Sequence, residues 1–284
     1  MFTQTTSTVV SDDVTLFVRR FGSPGKTPIL ILHGANYFDS SDWVDVAEQL
    51  AIDREVAAFD TRGFGNSSWS ANKYYGYASA LNDIKAVLGH LGWPRAIIIG
   101  HSRGGSHALL AAARAPELTA GLVLVDYNPA MGFGPPGGSP PVAGDSPPVF
   151  PTVEAALETM TRYRTDPLQP GMRDRALEFL RPVDGGFELF KRDPAFLSPA
   201  SPVVDEAGAH LILKDGFEEL SDTRCPALII RAKKSSRFSD EDVERIRANN
   251  ASDVIAIDSG HDVVGEAPEL FVTELRQWLG KIDG

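Results

Sequence analysis

A serine lies between glycines where an apolar, strand-like run passes into an alanine-rich, helix-like run. Residues 97–113 read IIIGHSRGGSHALLAAA and contain the pattern Gly-x-Ser-x-Gly, with Ser102 at its centre. Between a strand and a helix this pattern predicts a sharp turn that presents the serine hydroxyl, because glycine on either side removes Cβ atoms that would clash there. Ser102 is therefore the candidate nucleophile. The sequence contains neither a dinucleotide-binding G-x-G-x-x-G fingerprint nor a P-loop.

A nucleophilic serine needs a base, and His261 is the histidine best placed to supply it. It follows the apolar run DVIAID in the segment SGHD, so its loop is expected at the same edge of a parallel sheet as the serine turn. We interpret the other five histidines as structural: His33, His90, His101, His107 and His210. No two histidines have i, i+4 spacing and no cysteine cluster accompanies them, so no metal site is predicted.

The acid that would orient the histidine is less clearly marked. Asp126 ends the apolar run GLVLVDYNP, where packing does not explain a carboxylate. The loop after a later apolar run, ALIIRA, reads KKSSRF and holds no acid, and Asp240 beyond it is predicted in the first turn of a helix capped by Ser239. We assign Asp126 as the partner of His261 and keep Asp240 as the alternative. Asp262 is expected to point away from the imidazole, at the surface.

Two backbone amides are candidates for an oxyanion hole. One belongs to Arg103, directly after the nucleophile, and the other to Ala35, in the loop after the apolar run PILILHG. The side chain of Arg103 is expected to be solvated or ion-paired. Phe38, just past the oxyanion loop, and Tyr127, beside the acid, are candidate substrate contacts.

Elements of two kinds must position these residues. PILILHG, RAIIIG and GLVLVDYNP are typical of strands buried on both faces, whereas YASALNDIKAVLGHLG has the apolar spacing of a helix that ends at Gly92. Strands that alternate with helices predict an α/β protein with a mostly parallel sheet. Within FDTRGFGNS, Asp60 and Arg62 are expected to form a structural ion pair that shapes the loop.

The alternation is interrupted in the second half of the chain. Residues 129–151 carry eight prolines and five glycines, which excludes a helix or a central strand. Helical patterns follow in TVEAALETMTRYR, GMRDRALEFL and SPVVDEAGAHLILKD, with a turn at VDGG and a possible strand in FELFKRD. The predicted organisation is a core of residues 1–130 and 215–284 interrupted by a cap of residues 131–214.

The motifs LHGA, FDTRGFGNS, GHSRGG, LVLVDYNP and SGHD occur in this order, and with them the chain resembles the α/β-hydrolase fold superfamily. The resemblance spans roughly residues 14–130 and 215–280. It implies an eight-stranded, mostly parallel sheet with helices on both faces and a helical cap inserted after the sixth strand. A narrower resemblance, carried by the acid after that strand, PVDGG in the insertion and Ser235-Ser236, is to bacterial enamide hydrolases that work without a cofactor.

The candidate triad predicts a serine hydrolase that cleaves a small ester, lactone or amide. Ser102 would attack the carbonyl and form an acyl-enzyme, His261 would move the proton, and Asp126 would orient the imidazole. Three alternatives stay open. In this superfamily a cofactor-free dioxygenase or a carbon–carbon bond hydrolase uses the same His–Asp pair, and a ligand receptor could use the scaffold without catalysis.

Composition limits the partners. The formal net charge is −11, and an acidic surface argues against nucleic acid and anionic membranes. Cys225 is the only cysteine, which excludes an intrachain disulfide. The first residues lack the basic and apolar regions of a secretory signal, and no apolar run approaches the ~20 residues of a membrane helix. We expect a cytoplasmic protein that acts on a small molecule without cofactor or metal, and we keep a homodimer as the candidate assembly.

Overall fold

The computed structural model describes residues 4–35, 39–132, 146–161, 170–197, 213–248 and 252–283. The strands are β1 (Thr5–Ser11), β2 (Val14–Phe21), β3 (Lys26–Leu32), β4 (Arg54–Phe59), β5 (Ala96–His101), β6 (Thr119–Val125), β7 (Val149–Phe150), β8 (Leu180–Val183), β9 (Gly186–Leu189), β10 (Ala227–Ala232) and β11 (Ser252–Ile257). The helices are α1 (Val44–Leu50), α2 (Tyr77–Leu91), α3 (Arg103–Arg114), α4 (Val153–Met160), α5 (Met172–Leu177), α6 (Gly216–Asp222), α7 (Asp240–Arg247), α8 (Val263–Glu266) and α9 (Pro268–Asp283).

Eight strands form one sheet in the order β1-β2-β4-β3-β5-β6-β10-β11. β2 is antiparallel to β1 and β4, and the remaining neighbours are parallel. This confirms the predicted α/β architecture with a mostly parallel sheet. The register pairs His101 at the end of β5 with Val125 at the end of β6, and Val125 with Ile230 of β10. The residues that follow these strands therefore share one edge of the sheet.

The central strands are buried on both faces, as their continuous apolar runs predict. In β5, Ile98 belongs to an apolar cluster with α2 and α3, whereas Ile97 and Ile99 belong to a cluster with α1 and α9. Each central strand alternates in this way because successive side chains point to opposite faces. Two helical layers thus sandwich the sheet and hold its edges in place.

The insertion after β6 has its own small core. Helices α4 and α5 pack on a three-stranded antiparallel sheet in the order β7-β9-β8, around an apolar cluster that includes Leu157, Met160 and Phe179. Two predicted helices correspond to α4 and α5, and the predicted strand FELFKRD overlaps β9, which begins one residue earlier and ends at Leu189. The predicted helix in SPVVDEAGAHLILKD lies almost entirely outside the described residues, and the cap limits at 131 and 214 stay a prediction.

Hydrogen bonds attach the insertion to the core at the loop that follows β4. The amide of Asp193 donates to the carbonyl of Gly63 at 2.8 Å, and the amide of Gly65 donates to that of Lys191 at 2.9 Å. The Tyr75 hydroxyl donates to the buried Asp193 carboxylate at 2.5 Å.

Within the described ranges, no helix is both long and apolar enough to span a membrane.

Candidate active site

Ser102 occupies a strained turn between β5 and α3. Its φ of 50° and ψ of −118° lie in a region that residues other than glycine rarely adopt. Close approach of the backbone explains the glycines around it. A Cβ on Gly100 would lie 2.2 Å from the Gly104 carbonyl oxygen, and one on Gly104 would lie 2.4 Å from that of Leu32. The turn therefore requires this sequence, and it lifts the Ser102 side chain above the sheet edge.

A chain of hydrogen bonds joins Ser102, His261 and Asp126. The distance from Ser102 Oγ to His261 Nε2 is 3.0 Å, and that from His261 Nδ1 to Asp126 Oδ2 is 2.6 Å. A carboxylate only accepts, so Nδ1 carries the proton and Nε2 presents a lone pair to the serine hydroxyl. The arrangement is suited to general-base activation of Ser102.

The sheet positions the two ends of this chain. Asp126 directly follows β6, and its amide continues the ladder by donating to Ile230 of β10 at 2.8 Å. Its carboxylate is fully buried, and Oδ1 accepts the Ala232 amide at 3.1 Å. The φ of Asp126 is 44°, so this residue, like Ser102, has a left-handed backbone.

The alternative acid lies elsewhere. The Asp240 side chain is 99% exposed, at the first position of α7, and its carboxylate lies 3.4 Å from Arg231. Ser239 caps this helix in a capping box with Asp242, as its sequence predicts. Of the two candidates, the structure brings Asp126 to His261.

Burial sets the protonation of the histidines near the site. It lowers the pKa of His261, although the hydrogen bond to Asp126 opposes the shift. Burial also places the pKa of His101 well below its usual value, so this ring is neutral at pH 7. With the ring centroids 4.6 Å apart, His101 Nε2–H donates to the His261 carbonyl at 2.8 Å. His101 therefore supports the backbone of the candidate base, which agrees with its predicted structural role.

The turn that carries Ala35 is held by His33. Its Nδ1–H donates to the Gly34 carbonyl at 2.9 Å, and its Nε2 accepts the Thr61 amide at 3.0 Å. Burial lowers the pKa of His33 to about 4, so it is neutral. Ala35 is buried beside the rings of Phe64 and Phe196. These contacts fix the loop that would supply one oxyanion amide, and the amides of Ala35 and Arg103 stay candidates for that role.

The Arg103 side chain differs from its expected state. It is half-buried, donates to the Tyr75 carbonyl at 3.0 Å, and lies 5.1 Å from the ring centroid of Phe196. Among the described residues no carboxylate lies within ion-pair distance of it, so the predicted ion pair is not found there. Its charge is instead held by a carbonyl dipole and an aromatic face.

One of the two candidate substrate contacts can be placed. Tyr127 is buried in the apolar core beside α3, and its hydroxyl donates to the Gly132 carbonyl at 2.9 Å. Phe38 lies outside the described residues. Substrate contact by either side chain stays a prediction.

The predicted surface position of Asp262 is wrong. This carboxylate is 1% exposed, and its Oδ1 accepts the Gly265 amide at 3.1 Å. Asp262 is the N-cap of α8, so its burial is explained by satisfaction of the free amides at a helix start.

The expected pairing of Asp60 with Arg62 is also not found. Arg62 binds Asp83 at 2.7 Å. Asp60 accepts the amides of Ser40 at 3.0 Å and Asn66 at 2.8 Å. Both residues are buried and structural, as expected, but each has partners of its own.

Sequence reasoning missed one charged neighbour of the triad candidates. Arg237 Nε lies 3.9 Å from Asp126 Oδ2, in the loop after β10. The sequence offered one signal for this contact: Arg237 lies in a loop expected at the same sheet edge as Asp126, an aspartate with no cation near it in the sequence. In the described part of the chain, no three side chains of ligand type cluster to hold a metal.

Known proteins share this architecture. A family profile described as alpha/beta hydrolase fold matches residues 27–268. Epoxide hydrolase 4 of Mus musculus is 34% identical over 107 residues, 37% of this chain and 30% of that protein. An sn-1-specific diacylglycerol lipase of Danio rerio is 32% identical over 112 residues, 39% and 34% of the two chains. The matched stretch thus spans about a third of the length of these curated relatives.

A solved structure extends the similarity to nearly the whole chain. (E)-2-(acetamidomethylene)succinate hydrolase superposes with a TM-score of 0.74 and covers 98% of this chain and 100% of its own. Its sequence is 23% identical to this one, so the similarity concerns the fold.

Proposed function

We propose that this chain, which belongs to the alpha/beta hydrolase fold family, is a serine hydrolase that cleaves a small ester, lactone or amide. The hydrogen-bond chain from Ser102 through His261 to Asp126, with distances of 3.0 and 2.6 Å, carries the proposal. The candidate nucleophile, base and orienting acid thus lie within hydrogen-bond reach of one another.

The reaction would proceed through an acyl-enzyme. Ser102 Oγ attacks the substrate carbonyl while its proton passes to His261 Nε2. The imidazolium is stabilised by Asp126, and the oxyanion is bound by the amides of Ala35 and Arg103, each worth ~10²–10³ in rate. His261 then protonates the leaving group, and a water molecule activated by the same ring releases the acyl group. These residues supply every step, so no cofactor or metal is required.

Two of the similar proteins have names that fit an acyl-transfer substrate, a diacylglycerol lipase and an (acetamidomethylene)succinate hydrolase. A third, Epoxide hydrolase 4, is named for a different reaction. We propose a small-molecule substrate, a cytoplasmic location and no nucleic-acid partner, the last because of the net charge of −11. A homodimer remains part of the proposal to be tested by light scattering.

Labelling by a serine-directed fluorophosphonate tests the nucleophile. The probe should modify the wild-type protein at Ser102, as mapped by peptide mass spectrometry, and Ser102→Ala should abolish both labelling and p-nitrophenyl ester hydrolysis. Ser106→Ala is the matched control, because Ser106 lies on α3 and donates to the Arg103 carbonyl at 2.7 Å. It should still be labelled.

Two outcomes would contradict the proposal. A folded wild-type protein without label on Ser102 would exclude the nucleophile, and hydrolysis that survives Ser102→Ala would place the chemistry elsewhere. Oxygen uptake that depends on His261 but not on Ser102 would favour the dioxygenase alternative.

A further inference from the structure

A guanidinium lies beside the His261–Asp126 pair. Arg237 Nε is 3.9 Å from Asp126 Oδ2, the same oxygen that accepts from His261 Nδ1. The Arg237 side chain is 15% exposed and that of Asp126 is 0% exposed. Because solvent screens such a pair only weakly, the cation acts on both members of the hydrogen bond.

The loops after β6 and β10 hold this cation in place. Asn128 Nδ2 donates to the Arg237 carbonyl at 2.8 Å, and Arg237 Nη1 lies 3.3 Å from Met131 Sδ. From the same loop junction, the Ala232 amide donates to Asp126 Oδ1. Arg237 is thus a fixed member of the structure around the acid.

The charged groups that face His261 divide into two sets. Asp126 and Asp262 favour its imidazolium form. Burial and the guanidinium of Arg237 disfavour it, and His101, which packs on the ring, is neutral. On the segment that carries His261, the Glu266 carboxylate accepts a hydrogen bond from the Gly260 amide at 2.8 Å. Arg237 is the cation that opposes these carboxylates.

We infer that Arg237 is a positioning residue of the proposed hydrolase. Its guanidinium compensates the charge of the buried Asp126 and disfavours the imidazolium form of His261, so that the ring is a free base at neutral pH. The inference rests on the proposed function of the triad. Arg237 touches neither substrate nor the reacting atoms in this mechanism, and it acts through the two residues beside it.

The size of the effect follows from the two distances. Both end on Oδ2, so Arg237 Nε lies no farther than about 6.5 Å from His261 Nδ1. With an effective dielectric constant of ~20–40, one charge at that separation shifts a pKa by about one to two units. Loss of the charge raises the pKa of His261, and the acid limb of the pH profile then moves to higher pH.

The test compares pH profiles of kcat/KM for a p-nitrophenyl ester. In Arg237→Met the acid limb should move up by about one to two pH units, and the ratio of the rate at pH 6 to that at pH 9 should fall by up to about tenfold for each unit of that shift. Arg237→Lys, which keeps the charge, should restore most of the wild-type limb. Lys234→Met is the control, since Lys234 lies on the same loop but pairs with the exposed Asp258 at 3.4 Å.

A second readout separates this inference from the proposed function. Titration of the His261 ring by NMR reports its protonation whether or not an ester is cleaved, so it remains decisive if Ser102 is not labelled. Arg237→Gln repeats the test with a polar side chain if Arg237→Met does not fold. The inference is overturned if the midpoint of the His261 titration is unchanged or lowered in folded Arg237→Met or Arg237→Gln. It is also overturned if these variants lose thermal stability while the acid limb of the pH profile does not move.

Discussion

The replacement Asp126→Asn tests the proposed role of Asp126 as the acid that orients His261, because it removes the carboxylate with the smallest change in side-chain shape. In the structure Oδ1 of Asp126 accepts the Ala232 amide at 3.1 Å and Oδ2 accepts from His261 at 2.6 Å. An asparagine has one acceptor and one donor group, so it cannot satisfy both neighbours. If its oxygen faces Ala232, its NH₂ faces His261 Nδ1, which must then become an acceptor.

That orientation moves the imidazole proton to Nε2, opposite Ser102 Oγ at 3.0 Å, and the ring no longer serves as a base. In the flipped orientation the NH₂ group of the asparagine would face the Ala232 amide. The two donors would then be buried without an acceptor, which costs about 1–3 kcal/mol. A wrong tautomer in a Ser-His-Asp arrangement lowers kcat by ~10⁴, which corresponds to about 5.5 kcal/mol in the activation free energy.

The assay is steady-state hydrolysis of a p-nitrophenyl ester by wild type, Asp126→Asn and Asp240→Asn. Thermal melts confirm that each variant is folded. Asp240→Asn should retain wild-type kcat, because its carboxylate is 99% exposed on α7. A folded Asp126→Asn with more than a tenth of the wild-type kcat would refute the assignment. A comparable loss in Asp240→Asn alone would assign the acid to Asp240, at the start of α7.

Three further predictions concern protonation, the turn and the insertion. Because burial lowers the pKa of His261, kcat/KM should fall with decreasing pH through a midpoint below 6.5, where the ring becomes protonated; a midpoint above 7 in the wild type would contradict this. Gly104→Ala places a Cβ 2.4 Å from the Leu32 carbonyl oxygen, so it should lower the free energy of unfolding, measured in urea, by ~1–3 kcal/mol. Gly89→Ala is the control: its Cβ on α2 would meet nothing within 4 Å, so it should raise that free energy by ~1 kcal/mol. Equal effects of the two replacements would count against the close-approach argument. Tyr75→Phe removes the hydrogen bond to the buried Asp193 carboxylate of the insertion. It should lower the free energy of unfolding by ~1–3 kcal/mol and speed proteolysis within the insertion. Unchanged cleavage would show that this bond does not attach the insertion to the core.

Core elements were predictable where local patterns are strong. RAIIIG covers β5 except its last residue, His101, and GLVLVDYNP covers β6 except its first two residues, because a strand buried on both faces must be continuously apolar. Gly92 ends α2 with φ of 71°, a conformation that glycine adopts without strain. In the insertion the signals are weaker. β7 has two residues, and β8 contains Pro182, which its place at the edge of the small sheet permits.

The sequence indicates candidate site residues where a motif or a strand end marks them, and it indicates contacts less well where they depend on the path of a loop. Asp60 and Arg62 are two residues apart at the end of β4, and each meets buried partners from elsewhere in the chain: Arg62 meets Asp83, and Asp60 meets Ser40. Arg237 approaches Asp126 only because β6 and β10 are neighbours in the sheet. The segment KKSSRF shows that a cation follows β10, but the order of the strands decides that it meets Asp126.

The position of the acid has a structural consequence for the loop after β10. β6 lies between β5 and β10, so an acid at the end of β6 is flanked by the nucleophile's strand on one side and by this loop on the other. Ala232, the last residue of β10, donates a hydrogen bond to Asp126, and the loop brings the charge of Arg237 beside it. Ser102 and Asp126 both have positive φ, and such strain persists only where surrounding contacts determine the conformation. The contacts from β10 are of that kind: they hold the strained Asp126 in place, which is why a loop without a carboxylate still bears on the proposed acid.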